Sequence, residues 1–228
     1  MKNILFFACL LLVSCTKVSE VNTNEQLKDI DGNQYHSIII GTQEWMVENL
    51  STTKLNDGTN ILEITDNLEW VNTKSPAYCW LNNDVPTDLI NGALYNFYVV
   101  NSNKLCPTGW HVPSDGEWKT FEMYLGMSQN EADMIKWRGD GISTLLKALE
   151  GWYCLNGIQD NYGFKAMPSG ARNGYQGDFF NGAAWWTSTK YDDDNAWSRS
   201  ICDELTTIFR SNTTSNGGYS VRCIKTSN

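Results

Sequence analysis

The last stretch of the chain, from Tyr162 onward, leaves few architectures open. "GFKAMPSGARNG", "AAWWTSTKYDD", "NAWSRSICDE", "TTIFRSNTT" and "GYSVRCIK" are short alternating segments separated by Gly, Asn and Asp. Period-two alternation sends successive side chains to opposite faces, and turn residues interrupt it too often for helices. The reading is a run of strands in an antiparallel sheet with wide loops. Strand signals also open the ordered part, where Asp31-Gly32 offers a tight turn and "QYHSIIIGTQEWMVENL" supplies two strands around Gly41. Residues 51–90 read as loop-rich, punctuated by Asp57-Gly58, Pro76 and Pro86. Helix signals lie between these regions. "NGALYNFYVVNSN" places Leu94, Phe97 and Tyr98 on one face, with Asn91 as its cap. Ser114 and Glu117 form a capping box directly after Pro113, followed by an inward stripe of Trp118, Phe121 and Leu125. Ser128 and Glu131 repeat the box ahead of "ADMIKW", and "GISTLLKALEGW" gives a further short helix. Strands, then helices, then strands make an α+β domain whose two strand-bearing ends can pair.

The first fifteen residues stand apart from this domain. Lys2 supplies a positive start, and Ile4 to Val13 is an apolar segment too short to span a bilayer. It ends in Leu12-Val13-Ser14-Cys15, which resembles the lipobox of bacterial lipoproteins. The implied organisation is a signal peptide over 1–14, a lipid on Cys15, a polar Asn-rich tether over 15–28, and one domain over 29–226. Such a chain is held at the bacterial envelope, in the outer membrane, by an N-terminal lipid anchor. Its net charge of −9, with no run of Lys or Arg, sets nucleic acid aside as a partner.

Cofactor chemistry finds little support. Beyond Cys9 and Cys15, five cysteines remain: Cys79, Cys106, Cys154, Cys202 and Cys223. No CxxC spacing points to a thiolate zinc site, and spacing alone leaves the pairing open. The only histidines are His36 and His111, and there is no nucleophile elbow, phosphate loop or HExxH. The expectation is a protein that is not an enzyme and needs no cofactor. The one candidate metal is calcium, for which "YDDDNAW" offers Asp192 and Asp194 among hard oxygen ligands. A solvated turn between two strands is the competing reading of the same residues.

Taken in order, "DIDGNQYHSIIIGTQEWMVENL", "AYCWLNND", "GALYNFYVVNSNKLCPTGWHVPSDGEW", "GFKAMPSGARN", "WWTSTKYDDDNAWSR" and "GYSVRCIK" resemble the Fibrobacter succinogenes major paralogous domain. The resemblance covers nearly everything from Asp29 to Lys225. It implies the C-type-lectin-like fold in its formylglycine-generating-enzyme variant. It also implies a disulfide between Cys106, just before the capped helix, and Cys223, in the final strand. The paired-cysteine oxidation of the formylglycine enzymes does not carry over, because Cys154 and Cys202 lie outside those enzymes' motif settings.

The resemblance further implies that the last sheet and its loops form the ligand face. Tyr191 to Ser220 mixes Asn, Asp, Ser, Thr, Tyr and Arg with isolated apolar residues, a composition suited to adaptable recognition. The candidate ligand-binding residues are Trp185, Trp186, Tyr191, Asp193, Asn195, Trp197, Arg199, Arg210 and Asn212, with Trp186 the first expected to be buried. Aromatic faces would stack on sugars while amides and carboxylates take hydroxyls, so the expected partner is a glycan or a protein surface. A structural surface-layer role is the alternative, and a formylglycine-type oxidase is a remote third.

Overall fold

The computed structural model describes residues 27–84, 91–154 and 157–226. The signal peptide and Cys15 lie outside the described residues. The tether assignment ends slightly too late, since Leu27–Lys28 already pair with Gln34–Tyr35.

In chain order, the elements that frame the molecule are β1 (Ser37–Ile40), β2 (Gln43–Met46), α1 (Asn67–Asn72), α2 (Phe97–Val100), β3 (Trp110–His111), α3 (Asp115–Tyr124), α4 (Gln129–Asp133), β4 (Lys136–Arg138), β5 (Ala183–Lys190), β6 (Asn195–Ile201), β7 (Ile208–Thr214) and β8 (Ile224–Lys225). The architecture is α+β, mostly sheet with few helices. One antiparallel sheet has the order β5-β6-β7-β4, and a second has the order β1-β2-β8-β3. In the second, Ile224 lies opposite both Trp45 and His111, so the last strand closes against the first hairpin. A smaller three-stranded sheet joins Leu62–Glu63, Ala77–Cys79 and Leu94–Tyr95.

Local chemistry explains the helices that form. Ser114 accepts from the Glu117 amide, and the Glu117 carboxylate accepts from the Ser114 amide at 2.7 Å, satisfying two amides that would otherwise lack partners. The stripe of Trp118, Phe121 and Leu125 is buried against Trp45 and Phe164, with ring centroids 4.9 to 6.2 Å apart. Truncating one such aromatic to Ala costs roughly 3–5 kcal/mol.

Three expectations need correction. Leu94 belongs to a strand rather than a helix, and Asn96, not Asn91, caps α2 by accepting from the Val99 amide. The segment after the second capping box leaves the helix at Asp133 and becomes β4, because pairing with β7 outweighs the local helix signal. "GISTLLKALEGW" yields only a 3₁₀ turn over Ile142–Leu145.

Cys106 and Cys223 are bonded across a separation of 117 residues, as the resemblance implies. Closing so long a loop stabilises by roughly 4–5 kcal/mol in the chain-entropy model. The bond fastens the approach to α3 to the end of the chain.

Buried arginines pin the irregular segments. Arg172 donates from Nε to the Gly177 carbonyl, from Nη1 to Ile64 and from Nη2 to Thr65, while its guanidinium stacks over Trp70 at 4.5 Å. Arg222 donates to Asn49 Oδ1 and the Phe164 carbonyl, and Asn49 also accepts from Trp185 Nε1 at 2.9 Å. Burial pulls the Arg222 guanidinium down to about 9, with Glu48 and Asp160 acting against it. The acceptors are neutral, so these arginines serve as multi-pronged hydrogen-bond donors to loop carbonyls.

Candidate functional site

The candidate site sits at the hairpin end of the β5-β6-β7-β4 sheet, on the side turned toward α3. Register decides its composition. Trp197 lies opposite Asn212 and Arg199 opposite Arg210, and residues two apart share a face. All four therefore belong to one face, and their different depths divide their roles.

Arg199 and Arg210 are the deep pair, 0% and 5% exposed. Arg199 Nε donates to Glu122 Oε1 at 2.6 Å and its Nη1 to Asp115 Oδ1 at 2.9 Å. Arg210 grips the Asp115 carboxylate with Nε at 2.9 Å and Nη2 at 2.8 Å. Arg138 Nη2 completes the cluster, reaching both Glu122 oxygens at 2.7 and 2.6 Å. Burial pushes the Asp115 carboxyl up, but Arg210 and Arg199 outweigh it and hold the group at about 2. This cluster bolts α3 to the sheet.

Trp197 and Tyr191 lie at the rim. The Arg210 guanidinium sits 3.6 Å from the Trp197 ring centroid, and Tyr191 meets the same ring edge-on at 5.0 Å. Tyr191 is 52% exposed, Trp197 is half-buried, and Asn212 is exposed beside it. Because Asp115 and the Asp133 carbonyl fix Arg210 from below, the indole rests on an immobile cation. The result is a small aromatic ledge with an amide at its edge, held in place from beneath.

The hairpin beside the ledge is a rigid Asx turn. Asp192 Oδ1 accepts from the Asp194 amide at 2.9 Å, the Asn195 amide at 2.8 Å and Asn195 Nδ2 at 2.8 Å. Asp193 is exposed at its tip, and Asn195 is half-buried with its side chain committed to Asp192. Beside the calcium expectation for Asp192 and Asp194, the turn gives the first carboxylate a competing use. Asp192 is used by its own turn, and among the described residues no group of three or more His, Cys, Asp or Glu side chains converges.

Four of the expected ligand-binding residues are corrected. Trp185 is 2% exposed and donates to Asn49, while Trp186 is fully buried, donates to the Tyr95 carbonyl at 2.7 Å and stacks on Tyr219. Arg199 and Arg210 are spent on the carboxylates of α3. None of the four offers a surface to a ligand. The expected residues that the structure does bring together at the surface are Tyr191, Asp193, Asn195, Trp197 and Asn212.

One surface feature escapes the sequence reading. On the opposite face of the sheet, Trp137 of β4 packs its ring 4.8 Å from Phe209 of β7, and Trp137 remains 41% exposed. The signal was the alternation of "KWR", hidden by the preceding capping box. The histidines are local braces: His36 bonds Glu48 at 2.7 Å, and His111 bonds Glu117 at 2.8 Å and Thr226 at 3.1 Å.

Compared with known proteins, residues 38–225 match the model of the Fibrobacter succinogenes major domain. No curated protein and no solved structure gives a significant match.

Proposed function

This chain belongs to the Fibrobacter succinogenes major domain family, and we propose that it is a non-enzymatic binding lipoprotein of the bacterial envelope, built on a C-type-lectin-like fold. Its ligand in this reading is a glycan or a protein surface, met at the Tyr191–Trp197–Asn212 ledge. The observation that carries the proposal is the construction of that ledge. A half-exposed indole backed by a clamped arginine keeps its orientation without a ligand, so binding loses little side-chain freedom. Tyr191 adds a second aromatic wall, and Asn212 supplies both a donor and an acceptor for hydroxyl or peptide groups. Apolar sugar faces and exposed peptide edges both suit such a platform. The lipid on Cys15 and the polar stretch after it would hold the ledge away from the membrane.

A glycan array probed with the chain freed of its first fifteen residues, alongside cell-surface protein extracts, tests the reading. Tyr191→Ala and Asn212→Ala should each change stability by about 0.5 kcal/mol or less, since both side chains are exposed. At least one should weaken capture by about 2 kcal/mol, roughly thirtyfold, as a hot-spot residue does. Undiminished capture by both variants would move the ligand face elsewhere, with the Trp137–Phe209 pair the next surface to test.

A further inference from the structure

Among the described residues, three cysteines stand outside the Cys106–Cys223 bond, and their surroundings differ. Cys79 is buried, and burial pushes its thiol up to about 11, with Arg172 acting against that rise. Cys154 and Cys202 are only half-buried, and they lie at two segments stitched together by one aspartate. Asp203, the neighbour of Cys202, accepts from the Cys154 amide at 3.1 Å and from the Tyr153 amide at 2.7 Å. The same loop receives Lys147, whose Nζ donates to the carbonyls of Asp203 at 2.9 Å and Leu205 at 3.1 Å. Lys147 is 2% exposed and lies over the Trp152 ring at 5.0 Å. Burial pushes its ammonium below the ordinary lysine range, and Cys202, Asp203 and Cys154 all act on it in the opposite direction. Asp203 thus holds the segments that carry the two cysteines side by side, at a spot that solvent reaches beside Tyr153, which is 97% exposed.

We propose that Cys154 and Cys202 are a reversible dithiol–disulfide pair that locks the Gly151–Cys154 segment to the end of β6. The oxidant is a small-molecule or protein disulfide. The thiolate of one cysteine attacks it, breaks its S–S bond and releases half of it as a thiol. The second cysteine attacks the resulting mixed disulfide and expels the other half. The protein pair loses two electrons and two protons, and the external disulfide gains both as it becomes two thiols. The Lys147 ammonium, bonded to the Asp203 carbonyl, anchors the same loop from beneath. The bond would make permanent a connection that the Asp203 hydrogen bonds already hold, without involving the aromatic ledge.

The test equilibrates the full chain in a glutathione buffer poised near about −200 mV, which leaves a structural disulfide intact. Free thiols are then alkylated and the peptides mapped. The expected result is a linked Cys154–Cys202 peptide pair, with Cys79 alkylated only after unfolding. Oxidation should raise the melting temperature by roughly 5–10 °C in the native sequence and leave the Cys154→Ser/Cys202→Ser double variant unchanged. Each single variant should trap the remaining cysteine as a glutathione mixed disulfide. Recovery of both cysteines alkylated, or each separately carrying glutathione, in the native sequence would overturn the proposal.

Discussion

Replacing Glu122 by Ala tests whether the charged cluster under the ledge is what holds α3 to the sheet. Glu122 is completely buried, and its carboxylate is shared by Arg199 and Arg138, whose side chains are 0% and 1% exposed. Without it, Arg199 keeps Asp115 at 2.9 Å, but Arg138 keeps only the Ile208 carbonyl at 3.0 Å, and its Nε has no partner even now. Burial already pulls the Arg138 guanidinium down to about 10 while Glu122 pulls it back up. Deleting one partner of a buried pair costs about 3–5 kcal/mol, because an uncompensated charge stays behind. For a domain of this size that lowers the melting temperature by roughly 6–20 °C, at 2–4 °C per kcal/mol.

Urea denaturation and thermal melting of Glu122→Ala, Arg138→Met and the double variant measure the effect. If stranded charge is the cause, the double variant should be less destabilised than the sum of the single ones, with a coupling of about 1–3 kcal/mol. A loss below about 1 kcal/mol for Glu122→Ala, the range of an exposed ion pair, would refute the argument. So would strict additivity, which would assign the loss to packing alone.

Two further outcomes are expected. Asp115 is held at about 2 by Arg210 and Arg199 against the upward push of burial, and Glu117 is held at about 2 by His111 and Ser114 against the same push. Unfolded carboxylates titrate near about 4. Their contribution is therefore whole above that pH and lost as pH falls toward about 2. The urea midpoint should drop across that window, Asp115→Asn should flatten part of the drop, and a midpoint unaffected by acid would count against both assignments. At the other end of the chain, Cys15→Ala should shift the protein from the detergent phase to the aqueous phase in Triton X-114 partition, and an unchanged partition would remove the lipid anchor.

Features that read correctly from sequence are those whose cause lies within a few residues. The Ser114–Glu117 box, the turn at Gly41 and the strands β5, β6 and β7 are local, and each forms where expected, although β5 is buried on both faces over Ala183–Thr187 instead of alternating. The misreadings have remote causes. Arg199 and Arg210 look like surface residues because their acceptors lie far off in sequence, Glu122 being 77 residues from Arg199 and Asp115 being 95 from Arg210. Trp185 looks available until Asn49, 136 residues away, is found accepting from it. The segments that carried the family resemblance now have a physical reason to stand together. "ENL" brings Asn49, "SGARN" brings Arg172 and "SVRC" brings Arg222, each tying an irregular segment to a distant one through several hydrogen bonds. A fold with this much loop needs such fasteners, since loop carbonyls cannot be satisfied by a ladder. The Tyr191–Trp197–Asn212 ledge contributes to none of these ties and rests on Arg210 as a finished support. Its exposed positions can therefore change without loosening the frame, and the proposed recognition role asks for that division.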